Sequence, residues 1–250
     1  MCNRLLFVTI VVAVALGQTP APRKTSKPFV AKDYPAEKFR ISKNEYALGE
    51  ITVRVINVKN LGYVEHKDTP HYCSAWVEVM KREQLVKRFY YEDIEPVGFS
   101  FGAFVPKLQP GSEFVAIVKE GDYDGRLLLV NREGETVDLP GGFYFVTADK
   151  KYIISEYASD DSEPGLTVFD LTNQRIVLQP KDTPEIGSWY SDESGYFFME
   201  YERPGHAQRL DLDNQRLVKI RVNANDLRNA TKVRYDFDPR KKQDCVSAQH

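Results

Sequence analysis

Cysteine and histidine are scarce in this chain of 250 residues, which contains 3 and 4 of them. So few thiols exclude a disulfide-rich scaffold, and no Cys-x-x-Cys pair is present to hold zinc or haem. Glycine-rich phosphate-binding loops and the Gly-x-Ser-x-Gly motif of serine hydrolases are missing as well. The sequence therefore lacks the short motifs that mark the commonest cofactor and nucleophile sites, and we expect no bound organic cofactor.

Neither sign of charge is in clear excess. The 36 acidic residues nearly balance the 34 basic ones, and the net charge is −2. Both kinds are scattered along the chain, so no basic stripe is available to bind phosphates. The composition therefore argues against a nucleic-acid partner.

A long hydrophobic run occurs only at the N terminus. The first seventeen residues hold one arginine, an apolar run from Leu5 to Leu16 and then small residues, which is typical of a secretory signal peptide. The run of about twelve residues is shorter than the roughly twenty that a membrane-spanning helix needs. Ala15 and Gly17 predict cleavage after Gly17. We expect a secreted or periplasmic protein that does not span a membrane once residues 1–17 are removed.

The segments that flank the central part of the chain are polar. Residues 18–41 are rich in proline and lysine and predict a flexible linker. Residues 237–250 predict a flexible tail. The folded domain is therefore expected over residues 42–236.

Signal cleavage would leave two thiols, those of Cys73 and Cys245. In an oxidising compartment they can form one disulfide that ties the tail to the early part of the fold. Two unpaired cysteines are the alternative. In either case the fold must depend on its own core.

The central part is rich in short β-branched and aromatic runs and shows almost no helical periodicity, which predicts an all-β protein. The segment FDLTNQRIVLQ at residues 169–179 returns as LDLDNQRLVKI at residues 210–220. The strand that begins near Tyr152 likewise corresponds to the strand near Tyr196. A period near forty residues is typical of one four-stranded propeller blade.

A third unit places Phe114 and Asn131 in the roles of Tyr152 and Asp170. The repeated Asn-Gln pair is interpreted as the turn between the third and fourth strands, with a structural role. We predict a β-propeller-like fold of about four antiparallel four-stranded blades. Three are clear and the first is uncertain; they span about residues 42–93, 97–139, 143–180 and 186–222.

Residues 146–178, VTADKKYIISEYASDDSEPGLTVFDLTNQRIVL, resemble the repeat of TolB-type β-propellers. That repeat runs Ser-Pro-Asp-Gly, a strand, a loop, a strand ending in aspartate and a polar turn. Residues 147–150 and 191–194 take the place of its first motif, with the proline and glycine mostly replaced. The resemblance covers about residues 97–222. It implies blade geometry and an interaction protein of the cell envelope.

Residues 42–93 allow two interpretations. The segments GEITVRVINVKNLG and YCSAWVEVMKREQLVKRFYY can form a fourth blade. They also resemble calcium-dependent phospholipid-binding β-sandwich modules, which open with a similar strand. The paired aspartates that hold calcium in such modules are not at matching positions, so the blade is favoured.

Loops between second and third strands are expected on the same rim as the links between blades, where ligands meet a propeller. Three of the four histidines fall in these loops. Imidazole and carboxylate suit zinc or manganese, although the spacing matches no compact metal motif and solvated side chains are the alternative. The candidate metal ligands are His66, His71, His206 and Asp160.

Four further candidates lie on the predicted inner strands: Tyr144, Ser188, Trp189 and Tyr190. They are candidate binding residues for a peptide or glycan. Burial of the aromatic rings between blades is the alternative explanation.

Two functions fit these observations. The first is an exported, non-enzymatic binding or scaffold module that presents a rim of loops to a protein or saccharide partner. The second is a small propeller hydrolase or lyase that acts on glycan or peptide with rim carboxylates as acid and base. The first function is favoured, because the sequence contains no recognisable spacing of catalytic residues. An array that does not close into a ring is expected to form a homodimer, because its end sheets need a cover.

Overall fold

The computed structural model describes residues 27–61, 73–91, 102–104, 113–120, 125–159 and 162–236. Nearly all the regular structure in these ranges is β-strand, which confirms the all-β class. The strands form four antiparallel sheets, and the first four strands of each sheet lie side by side in the order in which they follow one another along the chain. We call these sheets meanders 1 to 4 in chain order.

Each meander comes from one continuous part of the chain. Meander 1 contains β1 (Phe39–Leu48), β2 (Ile51–Asn60), β3 (Cys73–Lys81) and β4 (Gln84–Tyr91). Meander 2 contains β5 (Gly102–Phe104), β6 (Phe114–Glu120), β7 (Arg126–Asn131) and β8 (Thr136–Pro140). Meander 3 contains β9 (Phe143–Val146), β10 (Tyr152–Ser159), β11 (Ser162–Asp170) and β12 (Arg175–Leu178). Meander 4 contains β13 (Ile186–Asp192), β14 (Gly195–Glu200), β15 (His206–Asp211) and β16 (Arg216–Arg221), with the short β17 (Thr231–Lys232) beside β13.

Three hydrophobic clusters join consecutive meanders. Strand β6 shows how one strand serves two of them. Val115 and Ile117 face meander 1, whereas Ala116 and Val118 face meander 3. Successive side chains of a strand point to opposite faces, so an unbroken apolar run is required where both faces are buried.

The outer face of meander 1 is covered by the chain that precedes β1. Phe29 and Tyr34 pack against Trp76, whose side chain is fully buried, and the Trp76 indole Nε1 donates to the carbonyl oxygen of Lys27 at 3.2 Å. Residues 27–41 of the segment predicted as a linker are thus held against the sheet or form the start of β1. The reason is that the segment carries aromatic side chains, which an apolar sheet face can bury.

The outer face of meander 4 is covered by helix α1 (Ala224–Asn229). Leu227 of the helix packs near Phe197 of β14. A capping box starts the helix: the Asn223 side chain accepts from the backbone N–H of Asp226, and the Asp226 carboxylate accepts from that of Asn223. Among the residues that the structure describes, no hydrophobic cluster joins meander 4 back to meander 1.

Residues 231–236, which we call the C-terminal strap, connect the first strands of meanders 4 and 3. The backbone N–H of Val233 donates to the carbonyl oxygen of Trp189 at 2.9 Å. The backbone N–H of Asp236 donates to the carbonyl oxygen of Tyr144 at 2.9 Å. The Asp236 carboxylate in turn accepts from the backbone N–H of Val146 at 2.7 Å. The strap therefore occupies the edges of β13 and β9.

The repeated Asp-x-x-Asn-Gln pattern forms a turn after β11 and again after β15. The Asp170 carboxylate accepts from the backbone N–H of Asn173 at 2.9 Å and from its side-chain amide at 2.8 Å. Gln174 has a positive φ of 50° and closes the turn. The second turn is formed by Asp211, Asn214 and Gln215, with the same aspartate-to-asparagine bonds and a φ of 52° at the glutamine. In each turn the asparagine thus donates to the aspartate carboxylate, and the glutamine adopts the left-handed backbone conformation that closes the turn.

A bidentate ion pair joins the β13–β14 turn to β15. Nη1 and Nη2 of Arg209 donate to the two carboxylate oxygens of Asp192, at 2.6 Å each. The hydrogen bonds from Arg209, together with one from the backbone N–H of Ser194, hold the pKa of Asp192 below its ordinary value. The ionised carboxylate is therefore the form that the folded chain stabilises.

We expect the Asp192→Asn variant to lose less free energy of unfolding than the wild type when the pH is lowered from 7 to 3. Because the pKa of Asp192 is lower in the folded chain than in the unfolded one, its contribution is present above about pH 4 and is lost as the pH falls through the lowered pKa. Urea unfolding at pH 7, 5 and 3, followed by circular dichroism, measures this slope. Asp213→Asn, at an exposed aspartate in the turn after β15, is the control. Equal slopes for Asp192→Asn and the wild type would contradict the assignment.

Candidate functional site

A groove of about 980 Å³ lies where meander 3 connects to meander 4. We call it the link groove. Its walls are the link at residues 179–185, the turn that begins at Tyr201 after β14, and parts of β12, β15 and β16. A link between consecutive meanders and a turn between the second and third strands of a meander thus line one groove. These two kinds of connection are the ones predicted to lie on one rim.

A buried polar pair lies in the wall of this groove. The side chain of Glu200, at the end of β14, is 6% exposed, and Gln208 of β15 is 4% exposed. The Gln208 amide Nε2 donates to Oε1 of Glu200 at 2.5 Å. The other oxygen, Oε2, is 3.9 Å from Nη1 of Arg203, which is an ion pair but too long for a hydrogen bond. A buried carboxylate thus keeps acceptor capacity on one oxygen.

Tyr201 lies next to this pair and is 69% exposed. Its backbone N–H donates to the carbonyl oxygen of Glu185 at 2.9 Å, which ties the turn to the link. Gly187 permits the close approach of the two strands here, since a Cβ at this position would lie 3.0 Å from the carbonyl oxygen of Met199. An exposed aromatic ring on a fixed backbone, beside buried polar atoms, is the combination found in ligand sites.

The charged side chains that line the groove are balanced. Four are basic and four are acidic: Lys181, Arg203, Arg216 and Lys219, with Asp182, Glu185, Glu200 and Glu202. The groove therefore has no formal net charge, unlike surfaces that bind phosphates or polyanions. Thr183 adds a second buried polar group to the wall, because it is 6% exposed and its hydroxyl oxygen has no hydrogen-bond partner among the described residues.

The four residues predicted to bind a ligand do not form one site. Tyr144 is 4% exposed within the cluster between meanders 2 and 3, and burial raises the pKa of its phenol. Trp189 is 2% exposed between meanders 3 and 4, where its Nε1 donates to Glu156 at 2.9 Å. Ser188 and Tyr190 are half-buried on β13. Tyr190 packs in the cluster beneath helix α1, on the face of β13 opposite to Trp189.

The predicted metal site cannot be assembled from the part of the chain that the structure describes. His206 begins β15 and is partly exposed, whereas His66, His71 and Asp160 lie outside the described residues. No group of three His, Cys, Asp or Glu side chains suited to a metal ion occurs among the residues described. The metal site stays a prediction.

The predicted disulfide also stays a prediction. Cys73 begins β3, but its side chain is not described, and Cys245 lies outside the described residues. Searching the described part of the chain for membrane-crossing helices, we find none of sufficient length and apolarity.

Sequence reasoning did not single out Glu200, Tyr201 or Gln208. A usable signal was present in the segment YFFMEY, where Phe198 and Glu200 share one face of β14. Phe198 is fully buried, so a carboxylate two residues later occupies a core-facing position. A charged side chain in such a place needs a polar partner, and that need is a reason to suspect a site.

No known protein-family model matches the chain, and comparison with curated proteins finds no match either. The resemblance of residues 97–222 to TolB-type repeats therefore remains a prediction. The candidate site depends on the geometry and chemistry of the link groove.

Proposed function

We propose that this protein is an exported, non-enzymatic binding module that presents the link groove to a partner in the cell envelope or outside the cell. The observation that carries this proposal is the buried side chain of Glu200, whose Oε2 accepts no hydrogen bond from the described residues, beside the exposed side chain of Tyr201. Polar atoms with spare hydrogen-bonding capacity in a concave site are what a ligand must find in order to be recognised. The N-terminal hydrophobic run supports export.

We further propose that the four meanders stand side by side as the blades of a propeller-like array. The clusters that join meanders 1 and 2, 2 and 3, and 3 and 4 support this arrangement. The covered outer faces of meanders 1 and 4 favour an open row over a closed ring. The row is capped by its own chain, as the terminal repeats of solenoids are, and this favours a monomer over a homodimer.

Site-specific photocrosslinking tests the binding proposal. We would replace Tyr201 with p-benzoylphenylalanine in the full-length protein and irradiate it with envelope or extracellular extract from the source cells. The reactive group should form adducts from the groove, because the side chain at this position is exposed and borders it. The control carries the same group at Val86, which is 54% exposed on β4. Absence of adducts at position 201, or equal labelling at the two positions, would refute the proposal.

A further inference from the structure

We propose that the ligand of the link groove is a neutral oligosaccharide. This inference rests on the proposed function, because it names the ligand class of the same groove. The charge balance of the groove, the geometry around Glu200 and the position of Tyr201 support it.

Charge balance favours a neutral, polar ligand. With four basic and four acidic side chains, the groove offers no net attraction to a polyanion or polycation. It does offer planar polar groups: the side-chain amide of Gln208 has one acceptor oxygen and one donor nitrogen, and the guanidinium of Arg203 supplies donors only. Pairs of donors and acceptors in one plane match the neighbouring hydroxyls of a sugar ring, each of which both donates and accepts.

The gap between Glu200 and Arg203 suits a bridging hydroxyl group. Oε2 of Glu200 and Nη1 of Arg203 are 3.9 Å apart. An oxygen atom placed between them can lie about 2.8 Å from both, which is the ordinary hydrogen-bond length. A sugar hydroxyl there would donate its proton to Oε2 and accept from the guanidinium. Both bonds involve a charged partner and are therefore of the stronger kind.

Tyr201 provides the apolar part of the same surface. The ring is 69% exposed, and its backbone is held by the bond to Glu185. A sugar ring has polar hydroxyls at its edge and C–H groups on its faces, so it can stack on the tyrosine while its edge reaches Glu200. The volume of about 980 Å³ is at the upper end for small-ligand sites and suits several linked sugar units.

Isothermal titration calorimetry of the full-length protein tests this inference. The probes are cellotetraose, maltotetraose and chitotetraose, with a heparin tetrasaccharide as the charged comparison. We expect at least one neutral probe to bind with a Kd below about 1 mM. Tyr201→Ala and Glu200→Gln should each weaken that binding by about tenfold or more, because they remove the stacking surface and the charged acceptor.

Matched controls separate these effects from general damage. Glu45→Gln makes the same carboxyl-to-amide change at a side chain 54% exposed in meander 1, and Val86→Ala truncates an exposed apolar side chain on β4. Both controls should bind as the wild type does. Circular dichroism melts show whether Glu200→Gln is folded, and Tyr201→Ala gives an independent readout because its side chain is largely exposed.

The outcomes distinguish this inference from the function on which it rests. No heat with any neutral probe, together with a protein adduct at position 201, would leave the binding module in place and overturn the saccharide. Absence of both heat and adduct would overturn both. Binding that survives both groove substitutions, or tighter binding of the heparin tetrasaccharide, would also overturn the inference.

Discussion

Replacement of Trp76 by alanine is expected to lower the free energy of unfolding by about 4 kcal/mol. The side chain is fully buried on the outer face of meander 1. Its ring lies 5.1 Å from that of Phe29, 5.7 Å from that of Tyr34 and 4.8 Å from that of Tyr90. The substitution removes this aromatic centre and the hydrogen bond to the carbonyl of Lys27. It should therefore leave a cavity and release the segment before β1.

Urea unfolding followed by circular dichroism measures the loss of stability, and limited trypsin digestion reports the release of the segment. Cleavage after Lys32 should become faster in Trp76→Ala under conditions where the sheet remains folded. Val86→Ala in the same meander is the control, and we expect it to change stability by less than about 0.5 kcal/mol. A loss below about 1 kcal/mol for Trp76→Ala, or unchanged cleavage, would contradict the assigned role of Trp76.

Deletion of residues 231–250 is expected to lower the free energy of unfolding by about 4 kcal/mol or more. The deletion removes the C-terminal strap, including the pairing of β17 with β13 and the backbone bonds to Trp189 and Tyr144. It also removes Tyr235, whose hydroxyl donates to Glu156 and whose ring lies 6.3 Å from that of Phe145. Glu156 is 8% exposed, so the loss of a donor leaves a buried carboxylate with less compensation.

A shorter deletion provides the matched control. Removing residues 237–250 retains the strap and all the contacts described for it, but it also removes Cys245. All three chains are therefore compared under reducing conditions, where a disulfide from Cys245 cannot contribute, and we expect a change of no more than about 0.5 kcal/mol. Thermal and urea unfolding of the two truncated chains and the full chain measure the difference. Equal stability of the two truncated chains would show that the strap does not stabilise meanders 3 and 4.

The strands and turns were largely predictable from the sequence because they depend on neighbouring residues. The run of apolar residues around Val115 to Val118 predicts a strand, and that stretch lies within β6. The Asp-x-x-Asn-Gln turn is likewise set by groups within five residues of one another, as the bonds from Asn173 to Asp170 show. Helix α1 was missed because it is only six residues long, although its capping box was a readable signal.

The candidate site was less predictable because the sequence does not say which face of a strand a neighbouring sheet will cover. Trp189 was singled out as an aromatic residue on an inner strand, and it is buried against meander 3. Tyr201 was not singled out, yet it is the exposed ring in the groove. One of the loops predicted to bind a ligand, the turn after β14, does line the groove. Which other side chains line the groove depends on how meanders 3 and 4 pack against each other.

By itself, then, the sequence determined the all-β class, the places of most strands and turns, and the balance of charge. These properties arise from alternation and from turn chemistry over a few residues. Only the tertiary structure decided what covers the end sheets, where the strap lies and how the groove forms. Those contacts join residues far apart in the chain, such as Lys27 with Trp76 at a separation of 49 and Glu156 with Tyr235 at a separation of 79. No local pattern encodes such pairs, because each depends on the final positions of whole sheets.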